Sequence, residues 1–332
     1  MSDPADAAPP ESRTVTMTPD ELNELCESAV LAAGGSSELA QSLAASAVAA
    51  DRRGKTQVGT AHLVDYLDAL DAGRINGSAG PALTSRLPAA QHVDADSGTA
   101  QLAFDTGFEP FIGAADRLGV AMLSITNSYT AGELGHYADR IAQRGLVALV
   151  TSNSPALMSV YGAEAPVTGT NPLAFAVPHP EGPRFFDQAS SETAWVNIRD
   201  AATHGADIPA GQALGPDGSP TTDAHEALAG ALLPFGGVKG SNIALMVEFL
   251  ASLGGGRFSL DAPSHAEGSE SPGIGLTAIA ISPEAFDPGY VDRVADHLDR
   301  LHRDFGIDFG RKRSCDVIEI PAEVHAALAH RR

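Results

Sequence analysis

Apolar side chains recur at helical spacing in three segments of the first 75 residues. The run Thr18-Pro19-Asp20-Glu21 predicts the start of the first helix, because a threonine cap, a proline and a glutamate in these positions are typical of helix N-termini. Ser36 predicts the start of a second helix that continues to Arg53, and the apolar spacing of residues 63–70 predicts a third that ends at Gly73. The N-terminal region is therefore predicted to be helical.

Strands and helices are interspersed in the rest of the chain. Short aliphatic and β-branched runs predict strands, and longer runs with helical spacing predict helices. The predicted strands cover residues 119–126, 146–151, 173–177, 184–187 and 276–281, and the predicted helices cover residues 133–144, 242–253 and 290–305. This pattern indicates a mixed α/β fold with a helical N-terminal region.

Composition and charge argue against two classes of partner. The 332 residues include 42 acidic and 21 basic side chains, which give a formal net charge of −21. Such a surface repels nucleic-acid phosphates, so no nucleic-acid partner is expected. No apolar run approaches the roughly 18–20 residues of a membrane helix, so no membrane partner is expected either.

The cysteines and the N-terminus bear on the cellular compartment. Cys26 and Cys315 lie nearly a full chain apart and form no metal-binding or redox motif, so neither a disulfide framework nor a metal site is predicted. Residues 1–14 are predicted to be a disordered lead, because they lack the basic and apolar segments of a signal peptide. We therefore expect a cytoplasmic protein.

Lysine is scarce, with only Lys55, Lys239 and Lys312 in the chain. Lys239 lies within Gly236-Gly237-Val238-Lys239-Gly240, just before a long apolar helix. Glycines let a backbone approach a ligand closely, and a helix N-terminus offers free N–H groups, so this segment indicates an anion or nucleotide-phosphate site. A glycine-rich turn with an exposed lysine is the alternative. No Gly-x-Gly-x-x-Gly follows a strand, so a Rossmann site is not supported.

Several motifs are similar to those of one enzyme family. They occupy residues 169–172, 186–191, 216–223, 230–234, 236–240 and 321–323. In register from Thr18 to Glu323, the chain resembles the malate/L-lactate dehydrogenase family, which lacks a Rossmann fold and also includes ureidoglycolate, sulfolactate, diketogulonate and cyclic imino-acid enzymes. The resemblance implies an α/β fold of the non-Rossmann NAD(P)-binding type, NAD or NADP as cofactor with the preference left open, a small-molecule substrate and a homodimer.

The resemblance also implies a division of labour along the chain. Residues 15–75 together with 285–332 form a helical region for the substrate and the dimer contact, and residues 76–284 form the α/β cofactor-binding region. Residues carried over as cofactor-binding are Asp187, Gln188, Ala189, Ser190, Ser191, Gly237, Lys239, Gly240, Pro321, Ala322 and Glu323. For Asp187 the alternative is a role in capping or turning the end of a strand.

The chain departs from the family pattern at polar positions of the active site. The family's Ser-His-Gly aligns with Gln57-Val58-Gly59, and its following arginine aligns with His62. A second family histidine aligns with Thr130, and a Gly-Lys pair aligns with Val196-Asn197. Because valine cannot transfer a proton, the usual proton donor is missing at Val58. The chemistry is therefore predicted to be either relocated or lost.

Candidate residues for a relocated site lie around the altered motif. His62 is one helical turn from Val58, so we predict it as a displaced acid, with Tyr66 and Thr130 as further catalytic candidates. Gln57, Val58, Tyr129 and Asn171 are predicted to contact the substrate, and the single tryptophan, Trp195, either lines the pocket or packs in the core. Each has a structural alternative: a surface histidine at 62, a core tyrosine at 66 and a space-filling threonine at 130.

Three functions remain compatible with the sequence. The first is a divergent NAD(P)-dependent oxidoreductase that transfers a hydride to or from a 2-oxoacid, an imino acid or a related small molecule. The second is a non-redox enzyme on the same fold. The third is a catalytically silent subunit that binds a ligand or serves a structural role. The retained cofactor motifs favour the first, and an amino-type, imino-type or bulkier substrate fits the altered active site better than malate or lactate.

Overall fold

The computed structural model describes residues 13–310 and 314–331. Its helices are α1 (Pro19–Ala32), α2 (Ser37–Asp51), α3 (Thr60–Asp71), α4 (Ala100–Leu118), α5 (Leu134–Gln143), α6 (Trp195–Thr203), α7 (Ala224–Ala229), α8 (Val238–Ala251), α9 (Tyr290–Phe305) and α10 (Ala322–Ala329). Lys312 and residues 1–12 of the predicted lead lie outside the described residues. Thr14, which the sequence placed in that lead, begins the first strand.

Twelve strands and three short 3-10 helices (Thr56–Val58, Ser252–Gly254 and Pro283–Ala285) complete the described secondary structure. The strands are β1 (Thr14–Met17), β2 (Ala82–Leu87), β3 (Ala90–Asp94), β4 (Val120–Ser128), β5 (Val147–Ser152), β6 (Leu173–Val177), β7 (Arg184–Gln188), β8 (Ala213–Leu214), β9 (Pro220–Thr221), β10 (Ala231–Leu232), β11 (Ile274–Ile281) and β12 (Ile318–Pro321). The predicted strands correspond to β4, β5, β6, β7 and β11, so the strand predictions are confirmed. The polar stretch between α6 and α7, for which no element was predicted, contains β8 and β9.

The three predicted N-terminal helices form, and the first two have the expected caps. The Thr18 hydroxyl accepts the N–H of Glu21 while the Glu21 carboxylate accepts the N–H of Thr18, which completes a capping box at α1. The Ser36 hydroxyl accepts the N–H of Leu39 and caps α2. These caps satisfy amides that a helix start would otherwise leave without partners, so local sequence alone fixes where α1 and α2 begin.

The helical unit, α1–α3 with α10, β1 and β12, has a core of its own. β1 pairs antiparallel with β12, so a strand from each end of the described chain closes this unit. Ile318, Ile320 and Leu328 are buried in the same cluster as Leu22 and Leu67. The C-terminal segment is therefore part of the N-terminal helical core. α9 lies apart from this core, because none of its residues is buried.

A seven-stranded mixed sheet forms the α/β part. The strand order is β2-β3-β4-β11-β5-β6-β7, and only the β3–β4 pair is parallel. α4 and α5 pack into a large apolar cluster with the central strands, where Phe104, Phe111 and Tyr137 are fully buried. α8 packs against β5 and β11. Along the described ranges, no helix is long and apolar enough to cross a membrane.

A third, smaller core supports the edge of the sheet beyond β7. The three-stranded sheet β10-β8-β9 and the helices α6 and α7 surround Met158, Ile198 and Leu232, all of which are fully buried. Ser191 bridges to Pro234, which joins the chain after β7 to the segment before α8. This junction places the predicted cofactor motif 187–191 beside the glycine-rich segment 236–240.

Candidate active site

A cavity of about 600 Å³ opens where the helical unit meets the end of β7. We call it the main cavity. Its lining residues are Gly54, Lys55, Thr56, Gln57, Val58, Gly132, Glu133, Thr170, Pro172, Asp187, Gln188, Ala189, Ala194, Trp195, Val196 and Asn197. Its volume is in the range of small-molecule sites, about 300–1,000 Å³. Gln57 and Val58 mark the point where the chain departs from the family pattern. They line the same cavity as the predicted cofactor residues 187–189.

The loop between α2 and α3 forms one wall of the main cavity. Asp51, at the end of α2, is buried and accepts the N–H of Thr60 at the start of α3 over 2.9 Å. Gly59 is needed beside it, because a Cβ there would lie 2.7 Å from the Asp51 carboxylate. Burial raises the pKa of Asp51, partly opposed by hydrogen bonds from Thr56 and Thr60. The hydrogen bond between Asp51 and Thr60 closes this loop, which places Lys55, Gln57 and Val58 in the lining of the main cavity.

Three charged side chains meet at the N-terminal end of α5: Arg53, Lys55 and Glu133. We call them the charge cluster. Both Nε and Nη2 of Arg53 donate to Glu133 Oε2, the Nε bond spanning 3.2 Å. Lys55 Nζ lies 2.9 Å from Glu133 Oε1. Burial opposes ionisation of Glu133, but the charges of Arg53 and Lys55 outweigh it and hold the pKa of that carboxyl below its ordinary value.

Asp187 lines the main cavity next to the charge cluster. Its Oδ2 accepts the N–H of Gly135 over 2.8 Å, at the first turn of α5. Burial raises the pKa of Asp187, and nearby Lys55 offsets part of that rise. The following Ser190 is fully buried and donates its hydroxyl to the carbonyl of Asn171 over 2.7 Å. Asp187 is therefore held by the fold and exposed to the cavity at the same time.

Tyr66, Thr130 and Tyr129 lie behind the wall of the main cavity. The Tyr66 hydroxyl accepts from Thr130 Oγ1 over 2.7 Å and from Gln101 Nε2 over 2.9 Å. Burial raises the pKa of Tyr66 to about 12. A void of about 10 Å³ separates Tyr66 from Val58, which lines both the void and the main cavity. Tyr129 is buried and donates its hydroxyl to the carbonyl of His265.

His62 also lies outside the lining of the main cavity. Its Nδ1 is 2.8 Å from Asp65 Oδ2, and its ring meets the ring of Tyr66 edge-on at 4.9 Å between centroids. Burial opposes ionisation of Asp65, but the hydrogen bond and charge of His62 prevail, so the pKa of that carboxyl is below its ordinary value. The structure thus brings His62, Tyr66 and Thr130 together but not into the cavity that holds Val58.

The Asn171 side chain points away from the main cavity, although its chain neighbours line it. Asn171 is fully buried, and its Nδ2 donates to Glu248 Oε2 over 2.7 Å and to the carbonyl of Ala244 over 2.9 Å, both on α8. Thr170 and Pro172, on either side, line the cavity. The motif therefore shapes the site through its backbone and neighbours.

A second cavity of about 360 Å³ lies beside the start of α8. Gly236 and Gly237 line it with φ of 56° and 60°, the left-handed region that favours glycine. α8 begins at Val238, four residues earlier than predicted, and Gly240 in its first turn lies so close to the preceding segment that a Cβ would be 2.0 Å from the Phe235 carbonyl oxygen. Lys239 is exposed in the first turn of α8.

The other predicted cofactor residues divide between the two cavities and a separate location. Gln188 and Ala189 line the main cavity, and Ser191 donates its hydroxyl to the Thr193 carbonyl over 2.6 Å between the two cavities. Pro321, Ala322 and Glu323 form the end of β12 and the start of α10 in the helical unit, and none of them lines either cavity.

Sequence reasoning missed Lys55 and Glu133 as site residues. The local signals are the scarcity of lysine, which points to Lys239 as much as to Lys55, and a predicted helix start at Glu133, which indicates no role in the site. Within the described ranges there is no group of three or more histidine, cysteine, aspartate or glutamate side chains suited to a metal ion.

Comparison with known proteins agrees with this architecture. The sequence profile of malate/L-lactate dehydrogenase matches residues 17–329. The chain is 38% identical over 280 residues to a Δ(1)-pyrroline-2-carboxylate reductase of Ancylobacter novellus, a match that covers 83% of this chain and 82% of the relative. It is 35% identical to the NADP(+)-dependent (2R)-3-sulfolactate dehydrogenase of Chromohalobacter salexigens, over 82% of this chain and 83% of the relative.

A solved structure extends the similarity to three dimensions. The crystal structure of Δ1-piperideine-2-carboxylate reductase from Pseudomonas syringae pathovar tomato superposes with a TM-score of 0.84 at 33% identity, covering 96% of this chain and 94% of that one. The predicted non-Rossmann α/β fold is confirmed. The chain belongs to the malate/L-lactate dehydrogenase family of oxidoreductases.

Proposed function

We propose that this protein is an NAD(P)-dependent reductase of small cyclic imino acids that carry a carboxylate on the imine carbon. The observation that carries the proposal is Val58 in the lining of the main cavity, together with the lack of any histidine among the described lining residues. A carbonyl oxygen needs an acid in the site when a hydride is added to its carbon. A cyclic imine can be protonated in solution before it binds, so it needs no such acid.

The reaction then balances without a proton-donating side chain. Reduction of an iminium places a hydride on the imine carbon and moves the C=N electron pair onto the nitrogen, which already carries its proton. The product is the cyclic amino acid, and the nicotinamide is oxidised. A carboxylate near the ring, such as Asp187, would stabilise the iminium cation through its charge. The similarity to a pyrroline-2-carboxylate reductase and a piperideine-2-carboxylate reductase supports the same substrate class.

The two cavities fit a dinucleotide. Asp187, Gln188 and Ala189, at the end of β7 and just after it, would hold the nicotinamide half, and the free amides at the start of α8, beside the second cavity, would hold phosphate. Positive φ at Gly236 and Gly237, with open space where a Cβ would stand, leaves room for that approach. When bound, the nicotinamide supplies or accepts the hydride. Either NAD or NADP is compatible with this arrangement.

A silent binding subunit is the second candidate, favoured by the same Val58 and by Thr130, whose hydroxyl is engaged with Tyr66. His62 as a displaced acid stays a prediction. The ring of His62 pairs with Asp65 and does not line the main cavity, so any effect of His62 on a substrate there would pass through Val58.

Cofactor titration followed by a substrate panel tests the proposal. Trp195 is the only tryptophan and lines the main cavity, so binding of NADH or NADPH is expected to quench its fluorescence with saturation below 1 mM. With whichever of the two cofactors binds more tightly, Δ1-pyrroline-2-carboxylate and Δ1-piperideine-2-carboxylate are expected to be reduced at least about tenfold faster than pyruvate. The imine nitrogen can bind its proton in solution, whereas the ketone of pyruvate needs a proton donor in the cavity. Binding of neither cofactor would exclude a redox function, and cofactor binding without turnover would favour the silent subunit.

We further propose that the protein is a homodimer that uses the outer face of α8. Phe249 on this helix and Leu253 in the turn that follows it are 60% and 59% exposed, and Leu260 is 70% exposed. Large exposed apolar side chains that cluster on one face are typical of an interface between subunits. Sedimentation equilibrium is expected to give twice the chain mass, and Phe249→Glu is expected to give the mass of one chain. Leu118→Glu, which alters an exposed leucine on α4, is the control that should remain dimeric.

A further inference from the structure

Lys55 is the one cationic side chain in the lining of the main cavity, as far as the described residues go. The cavity also presents the carboxylates of Glu133 and Asp187, and the whole chain carries a net charge of −21. An anionic substrate approaching such a cavity is repelled unless a cation faces it. The position of Lys55 therefore bears directly on what this cavity can hold.

The charge cluster has an excess of positive charge on the side that faces the main cavity. One carboxylate, Glu133, faces two cations, so these three side chains carry one net positive charge at neutral pH, while Asp187, the other carboxyl group near Lys55, has a pKa that burial raises. Glu133 and Arg53 are 1% and 9% exposed, whereas the side chain of Lys55 is 32% exposed. Arg53 satisfies Glu133 Oε2 from the buried side. The excess charge is thus presented to the cavity by the Lys55 ammonium group, which keeps N–H donors beyond its contact with Glu133.

The two other basic side chains considered from the sequence are placed elsewhere. His62 pairs with Asp65 outside the lining, and Lys239 is exposed on the first turn of α8, outside the lining of both cavities. Asn197, which occupies the position of a lysine in the family pattern, lines the main cavity but is neutral. Neither His62 nor Lys239 lines the main cavity as Lys55 does.

We propose that Lys55 binds the carboxylate of the substrate, and that Glu133 acts as a positioning residue that holds Lys55 in place. This inference rests on the proposed imine reductase function and names the residue that selects substrates with a carboxylate next to the imine carbon. Lys55 anchors the carboxylate end, so the imine carbon is held in the remaining part of the cavity near the cofactor motif. A neutral imine of the same size loses this anchor.

Direct binding of a matched pair of probes tests the proposal. Pyrrole-2-carboxylate has the ring and carboxylate of the substrate but is not reduced, and pyrrole-2-carboxamide is its neutral counterpart. With saturating reduced cofactor, Trp195 fluorescence reports the dissociation constant of each probe. Lys55→Met is expected to weaken carboxylate binding by about 10- to 100-fold, the usual contribution of a charge-assisted hydrogen bond, and to leave carboxamide binding within about threefold.

Two further variants sharpen the result. Lys55→Arg keeps the charge and is expected to restore most of the carboxylate affinity, to within about tenfold of the unaltered protein. Arg144→Met removes a positive charge that pairs with Glu109 on the surface, so it is expected to change neither dissociation constant. In turnover with Δ1-pyrroline-2-carboxylate, Lys55→Met is expected to raise KM about 10- to 100-fold while kcat stays within about threefold, since uniform binding is lost.

Failure of this inference is distinguishable from failure of the proposed function. If the unaltered protein binds cofactor and reduces the imine, but Lys55→Met binds both probes as the unaltered protein does, Lys55 does not bind the carboxylate and the reductase function stands. An equal loss of affinity for both probes also overturns the inference, because it would assign Lys55 a role in cavity shape. If no cofactor binds to the unaltered protein, the reductase function itself fails.

Discussion

Glu133→Gln is expected to lower the free energy of unfolding by about 3–5 kcal/mol, the range observed when one partner of a buried ion pair is removed. The reason is the burial of Arg53, whose side chain is 9% exposed and donates twice to Glu133. Glutamine can accept a hydrogen bond but cannot neutralise the guanidinium. Chemical denaturation at pH 7 measures the loss.

An exposed ion pair of the same type provides the control. Arg144 Nη1 lies 2.7 Å from Glu109, and the two side chains are 41% and 69% exposed. Glu109→Gln is expected to cost only about 0–1 kcal/mol, because water solvates both charges when the pair is broken. Equal losses in the two variants would contradict the assignment of Glu133 as the counterion that the fold requires.

The same substitution has a defined pH dependence. The pKa of Glu133 is lower in the folded protein than its ordinary value, so its ionisation stabilises the fold at pH values above the unfolded pKa of about 4.3. This contribution is lost as the pH falls through the folded pKa. The difference in unfolding free energy between the unaltered protein and Glu133→Gln is therefore expected to be constant from pH 7 to pH 5 and to shrink below about pH 4.

Glu248→Leu is the second substitution with a large expected effect. Glu248, on α8, is buried and accepts the N–H and the hydroxyl of Ser259, the latter over 2.6 Å, in addition to the Asn171 amide. Leucine fills similar space but leaves both Ser259 donors without a partner. Each orphaned donor costs about 1–3 kcal/mol, so a total of about 2–6 kcal/mol is expected.

The functional consequence of Glu248→Leu separates it from a simple loss of stability. Glu248 fixes Asn171, whose neighbours Thr170 and Pro172 line the main cavity, so reduced-cofactor affinity is expected to fall together with stability. Glu226→Leu is the matched control, since Glu226 is exposed and accepts only the Thr221 hydroxyl. It is expected to change stability by less than about 0.5 kcal/mol. An equally small effect at Glu248 would contradict its structural role.

Local sequence predicted the elements that have strong local signals and missed several others, of which α4 shows most clearly the part played by tertiary packing. α4, the longest described helix, was not predicted because Gly107 and Pro110 interrupt its pattern. Gly107 is required where the helix crosses the sheet, since a Cβ there would lie 2.9 Å from Leu123 Cδ1. The burial of Phe104 and Phe111 against the sheet compensates for these poor helix formers. Such compensation cannot be read from a single segment.

The candidate site also contains residues that the sequence predicted and residues that it did not. Motif resemblance located Val58 and Asp187, which the structure brings to one cavity, although 129 positions separate them in the chain. The charge cluster escaped prediction because Lys55 and Glu133 belong to different helical boundaries, and a pair of opposite charges has no sequence signature at such a separation. The predicted acid, His62, is one turn from Val58 in sequence but pairs with Asp65 instead. The helical spacing does not apply to this pair, because Val58 ends a short 3-10 helix and α3 begins only at Thr60.

The pairing of β1 with β12 determines the order in which this protein can fold during synthesis. Every strand of the seven-stranded sheet has been translated once residue 281 is made. The helical unit, in contrast, requires Ile318, Ile320 and Leu328 to close its core. On a ribosome, the sheet can therefore assemble first, while α1–α3 wait with exposed apolar faces until almost fifty more residues emerge. The loop that carries Lys55 joins α2 to α3 in this unit, so we expect it to reach its final position after the sheet has formed.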